Sequence, residues 1–199
     1  MLRTPLDHDA PENRHRQASD AEDVRLIGRV AARDLVAFER LYRCYRPRLR
    51  RFLERMSARP AVVDEVVNDT LLVVWNRAAA FNHTSKVSTW VFAIAYRKVL
   101  KALSREAAPA EEPDEDIAAD GSGPEQSTAG AETRNALLQA MQDLSAEHRA
   151  VLNLTYYHGM GYREIAAIVD CPVDTVKTRM FHARRRLRAI LSGTLGDWL

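Results

Sequence analysis

The residues best suited to chemistry lie between Gly161 and Leu191, and that chemistry is contact with a polyanion rather than bond-making. From Val173 to Leu191 there are six lysines and arginines against one acid, Asp174. Val176, Met180, Ala183, Leu187 and Ile190 recur at helical spacing and predict one buried stripe. The opposite face carries Asp174, Thr178, Phe181, His182, Arg185 and Arg188, flanked by Lys177, Arg179, Arg184 and Arg186. Phosphates attract such charge, and counterion release makes the binding salt-dependent. Phe181 is the more specific clue. An aromatic ring turned to water is wasteful unless it meets something apolar, such as a thymine methyl. Lys177, Thr178 and His182 can add polar contacts to bases or phosphates. The plainer alternative is a solvated basic face, with Phe181 packed against another segment.

That helix needs a scaffold, and the sequence supplies one. Ile165, Ala166, Ile168 and Val169 predict a short apolar helix, followed by a turn at Asp170-Cys171-Pro172. Pro172 fits a first helical position, where a missing N–H costs nothing. The pair is a helix-turn-helix whose second helix fits a DNA major groove.

Enzymatic chemistry finds no footing. The six histidines show no H-E-x-x-H or comparable ligand spacing, and Cys44 and Cys171 make no CxxC. There is no glycine-rich phosphate loop, and the reading is of a protein that is not an enzyme and needs no cofactor or metal. Two distant cysteines favour a reduced, cytoplasmic protein over a disulfide scaffold. No apolar run approaches a membrane span, and the N-terminus has no signal-peptide core.

The chain has 199 residues and a formal net charge of +2, which hides strong segregation. Residues 81–105 hold five basic residues and no acid; residues 106–133 hold nine acids and no base. This asymmetry points to a polyanion-binding surface beside a separate acidic tether. The tether is rich in Pro, Gly and Ser, cannot bury enough surface to offset its ordering entropy, and is expected to be flexible.

The rest of the chain predicts helices only: an all-α protein of two small helical domains, 19–105 and 134–192, joined by the acidic linker 106–133. Residues 1–18 are expected to be a mobile tail. Ser19 and Glu22 form a possible capping box opening the first helix. A second helix, about 35–56, carries Phe38, Leu41, Tyr45, Leu49 and Phe52 on one side and should bend or break at Pro47. A third spans about 61–80, where apolar positions 63, 66, 67, 71 and 74 fit a helical period better than alternation. A polar loop, 82–88, precedes a fourth, about 88–104. Leu137, Leu138, Met141 and Leu144 form a later stripe, and Ser145 is a candidate cap for the helix carrying Val151, Leu152 and Leu154.

The fourth helix has a divided surface. Val91, Ile94, Ala95, Val99 and Ala102 face one way; Trp90, Arg97, Lys101 and Ser104 face another. Bases stack on aromatics at roughly 1–3 kcal/mol each while cations track the backbone, so this face suits single-stranded DNA. The loop Asn82-His83-Thr84-Ser85-Lys86 is suited to receive an unstacked base. The alternative is that Phe81 and Trp90 are core. The run from Asp64 to Thr70 is either a solvated acidic face or, through Asn68, Asp69 and nearby apolar groups, a place to dock another protein.

Three stretches together resemble the extracytoplasmic-function (group IV) sigma factors of the sigma-70 family. DEVVNDTLLVVW at 64–75 resembles region 2.2. FNHTSKVSTWVFAIAYRKVLKAL at 81–103 resembles regions 2.3 and 2.4. IAAIVDCPVDTVKTRMFHARRRL at 165–187 resembles region 4.2. The resemblance implies a promoter-specificity subunit. Val67, Asn68, Asp69 and Leu72 would dock the β′ clamp helices of core RNA polymerase, with the β flap as a further contact. Phe81, Asn82, His83, Ser85, Lys86, Trp90, Arg97 and Lys101 would handle the melted −10 element as single-stranded DNA. Lys177, Thr178, Arg179, Phe181, His182 and Arg185 would engage the −35 element as duplex. The acidic linker would thread toward the active-site and RNA-exit channel, and a dedicated anti-sigma factor would hold the protein inactive. The rival reading is a free-standing helix-turn-helix regulator, which needs a sensor domain that the first 105 residues do not resemble.

Overall fold

The computed structural model describes residues 11–107 and 140–196, with side chains over 19–105 and 140–190. Among these residues there are seven longer helices' worth of regular structure and no strand: α1 (Pro11–Ala31), α2 (Leu35–Met56), α3 (Pro60–Arg77), α4 (Val87–Ala107), α5 (Ala146–Tyr156), α6 (Tyr162–Val169) and α7 (Val173–Gly196). A 3-10 turn, Ala78–Ala80, follows α3. The linker expected to be flexible falls almost wholly outside the described residues, as do residues 1–10 and the start of the stripe at Leu137 and Leu138.

Two expectations at the N-terminal end need correction. The first helix begins at Pro11, not at Ser19, so Ser19 lies inside α1 and caps nothing there. Of the bend or break expected at Pro47, the break does not occur: α2 is one helix through it. Proline removes one backbone donor and crowds the preceding turn. Here α2 is held on both sides of it by a stripe of fully buried side chains (Leu41, Tyr45, Leu49, Phe52, Leu53 and Met56), while Pro47 itself faces water.

Asp34 opens α2. Its carboxylate accepts from the N–H groups of Val36 (2.9 Å) and Ala37 (3.0 Å). These satisfy donors that a helix start leaves unpaired. Those bonds and the Arg29 guanidinium beside it hold the Asp34 carboxyl below the usual carboxylate range. Proline at the first position starts α3, and Ser145 caps α5 as expected by accepting from the His148 N–H at 3.3 Å.

Helices α1–α4 form one bundle and α5–α7 another, and the two pack against each other: buried side chains of both belong to one continuous apolar cluster. α4 lies along α6, and the C-terminal end of α2 meets α5. Two separate bodies were the natural expectation from the acidic tether; the structure brings them into direct contact.

Candidate nucleic-acid interface

Helices α6 and α7 build the helix-turn-helix. Glu164 reaches back to accept from the Gly161 N–H at 2.9 Å, closing the start of α6. Asp170 ends it in the left-handed region, with φ 52°, and the Cys171 N–H returns to the Ala166 carbonyl at 3.1 Å. An aspartate tolerates that conformation better than most side chains. Pro172 sits just before α7 rather than within it, and its carbonyl accepts the Val176 N–H at 3.2 Å.

The stripe expected to be buried in α7 is buried: Val176, Met180 and Ala183 are sealed, and Leu187 and Ile190 are half-buried. On the other side Phe181 is 62 % exposed, edge-on to His182 at 5.4 Å between ring centroids. Lys177 pairs with Asp174 at 2.9 Å, and this keeps the Asp174 carboxyl below its ordinary range. The Thr178 hydroxyl donates to the Asp174 carbonyl at 3.0 Å. Arg179 is half-buried with Nη1 3.8 Å from the Cys171 sulfur, whereas His182 and Arg185 are open to solvent. Tyr162, Lys177, Met180, Phe181, Arg184 and Arg188 line a shallow depression of about 410 Å³ beside the Phe181 ring. A ring at the centre of a cationic, solvent-facing helix can meet an apolar base edge while the arginines meet phosphates.

In the N-terminal bundle, the loop before α4 is a small built turn. Asn82 Oδ1 accepts from the Thr84 N–H (3.2 Å) and hydroxyl (2.7 Å), and His83 takes a left-handed φ of 60°. Phe81 is only 6 % exposed and packs under His83 (4.8 Å) and Trp90 (5.5 Å). It is therefore core that supports the surface aromatics, and not itself a free stacking platform. Trp90 is half-buried; Asn82, His83, Lys86, Arg97 and Lys101 are exposed, and Ser85 is half-buried. Lys86 bridges Asp20 and Glu164, 3.0 Å from each.

The third group of candidates sits on α3. Val67 is 3 % exposed and belongs to the core, so it offers no contact surface. Asn68 is exposed, Leu72 is 56 % exposed, and Asp69 pairs with Lys98 of α4 at 2.7 Å. Among the described residues no cluster of His, Cys, Asp or Glu is placed to hold a metal ion, and no helix is long and apolar enough to cross a membrane. The contacts between the bundles were missed by sequence reasoning. Arg149 and Asn153 reach main-chain atoms 93 and 101 residues away, and no local pattern announces such a pair.

Comparison with known proteins decides what this interface belongs to. Residues 41–108 match the family model "Sigma-70 region 2", and residues 134–187 match "Sigma-70, region 4". The sigma factor SigL of Mycobacterium tuberculosis is 31% identical over 171 residues, covering 83% of this chain and 94% of that protein. The chain belongs to the extracytoplasmic-function sigma factors of the sigma-70 family. The sigma factor RpoE of Cereibacter sphaeroides is also similar, 29% identical over 163 residues, 80% of this chain and 89% of its own length. Among solved structures, the sigma factor RpoE in complex with the anti-sigma factor NepR, from Bartonella quintana, matches with a TM-score of 0.59 at 25% identity. It covers 78% of this chain and 96% of that one. CnrH in complex with the cytosolic domain of CnrY shares the fold, with a TM-score of 0.64 at 23% identity over 86% of this chain and 98% of that one. In this sigma factor the region 2 match takes in most of α2 with α3 and α4, the region 4 match takes in α5, α6 and α7 as far as Leu187, and the protein is not an enzyme.

Proposed function

We propose that this sigma factor joins core RNA polymerase and directs it to promoters by reading two separated elements. Region 4 engages the −35 element as duplex through α7, with Phe181 against base edges and Lys177, Thr178, Arg179, His182 and Arg185 around it. Region 2 holds the melted −10 element, with Trp90 and His83 stacking on bases and Asn82, Ser85, Lys86, Arg97 and Lys101 lining the strand's path. Asn68, Asp69 and Leu72 dock the β′ clamp helices, and region 4 meets the β flap. The exposed Phe181 ring on a cationic helix, opposite a stripe sealed at Val176, Met180 and Ala183, is the observation that carries this reading.

Neither bundle needs to bind tightly alone, because the covalent tether raises the effective concentration of the second once the first engages. The nine acids of 106–133 suit a segment that occupies a basic channel and yields to growing RNA. Control by an anti-sigma factor is supported by the similar sigma factor of Bartonella quintana, which is held in such a complex. Footprinting with and without core polymerase tests the reading. Protection of two promoter blocks only when polymerase is present is the expected result; a strong palindromic footprint from the chain alone contradicts it.

A further inference from the structure

Lys177, Phe181, Arg184 and Arg188 follow one another along α7 at spacings of four, three and four, so they share one face of the helix. The three cations on that face are held differently. Lys177 is neutralised by Asp174, 2.9 Å away. Arg188 stands open to solvent. Arg184 lies 5.5 Å over the ring of Tyr156, the last residue of α5, and pairs with no carboxylate among the described residues. Tyr156 is itself 58 % exposed, a large ring turned to water at the end of a helix whose Val151, Leu152 and Leu154 are sealed. Packing of the bundle does not account for that ring; the guanidinium above it does.

We propose that Tyr156 is a positioning residue that presents Arg184 to a backbone phosphate flanking the −35 element. The proposal rests on the −35 reading above, which gives neither residue a role. A guanidinium is planar. An aromatic ring engages its face and leaves the N–H donors along its edge free for two phosphate oxygens. The support is neutral, so unlike a carboxylate it fixes the side chain without cancelling its charge. Fixing it beforehand removes part of the rotamer entropy that a free arginine loses on binding. Position agrees with this role. Arg184 stands about 4.5 Å beyond Phe181 along the axis, at ~1.5 Å per residue, and both line the same depression beside the Phe181 ring. A helix that sets Phe181 against base edges in a groove about 12 Å wide brings the longer cations of that face to the phosphates on its rim. Such contacts fix register and carry no sequence information. Phe181 reads, and Arg184 on Tyr156 holds.

The test uses holoenzyme assembled from core RNA polymerase and the full chain, bound to a promoter on which it starts transcription. A second template ends just downstream of the −35 element. Affinity is measured on both over a series of salt concentrations. On the full promoter, Arg184→Ala should make the slope of log affinity against log salt shallower by about 0.9, the share of one phosphate. Tyr156→Ala keeps the charge, so its slope should match wild type while affinity falls about two- to five-fold, the scale of an exposed cation–π contact. Tyr156→Phe keeps the ring and should bind like wild type. None of the three should change the preference between matched and mismatched −35 sequences, and none should differ from wild type on the shortened template. An unchanged slope for Arg184→Ala overturns the phosphate contact. Binding by Tyr156→Ala as tight as wild type removes the positioning role, and tighter binding would mean that the ring withholds Arg184 instead of presenting it. Equal losses on both templates place the two residues in folding or polymerase assembly and also overturn the proposal. If wild-type holoenzyme binds the two templates equally at every salt concentration, the −35 reading itself fails, a distinct outcome that takes the proposal with it.

Discussion

Phe181 on the cationic α7 and Val67 on the more apolar α3 are both large apolar side chains, and burial assigns them opposite tasks. Phe181 exposes most of its ring, so Phe181→Ala should leave thermal stability nearly unchanged, within about 0.5 kcal/mol as for surface substitutions generally. Preference for the best −35 sequence over a mismatched one should fall about ten-fold, the scale of one lost base contact, with core-polymerase binding unchanged. Competition binding on a −35 library checks this, and equal losses on every sequence would remove Phe181 from base reading. Val67 is sealed, and Val67→Ala should cost roughly 2 kcal/mol of stability through the lost methyl burial and the cavity left behind. Asn68→Ala with Leu72→Ala should do the reverse: a near-normal melting temperature and weaker co-purification with core polymerase. If the exposed pair retains full affinity, the docking surface lies elsewhere.

At the scale of elements, the α7 stripe is legible in sequence because its apolar spacing is an unambiguous helical period, and the turn is legible because Pro172 and the polar Asp170 interrupt it. The left-handed backbone at Asp170 is less visible, since aspartate serves in many turns. Asp170→Gly should hold or raise the melting temperature by relieving that conformation, whereas Asp170→Val should lower it clearly; equal melting temperatures for the two would contradict a strained helix end. The continuity of α2 through Pro47 is hidden from local rules, because tertiary burial on both sides outweighs one lost bond. His158 carries an element-level consequence. Burial, with Arg48, Arg55 and Arg51 nearby, holds its imidazole down at about 4, against an ordinary value of 6.5. Between those values the unfolded chain takes up a proton that the folded one refuses. Its stabilising contribution is therefore complete above about pH 6.5 and is lost as pH falls toward 4, at up to about 1.4 kcal/mol per pH unit. The melting-temperature gap between wild type and His158→Gln should be constant above pH 7 and narrow on acidification; a gap independent of pH would place His158 in solvent.

For the molecule as a whole, the segregation of charge points to nucleic-acid contact and to two bundles, while the seam between them cannot be read from the chain. Arg149 and Asn153 look like ordinary helix residues until the C-terminal turn of α2 arrives with its Phe52 and Met56 carbonyls, and Phe81 looks like a stacking ring until it is found beneath His83 and Trp90. What is readable are periods and charge runs a few residues long; what is not are partners brought together by folding. The central claim concerns the assembled system, and the most direct measurement is run-off transcription with purified core RNA polymerase and the full chain on a randomised promoter library. The expected result is RNA from defined start sites, on templates that share two sequence blocks at fixed separation upstream. RNA from no defined position, or the same starts from core polymerase alone, would contradict it.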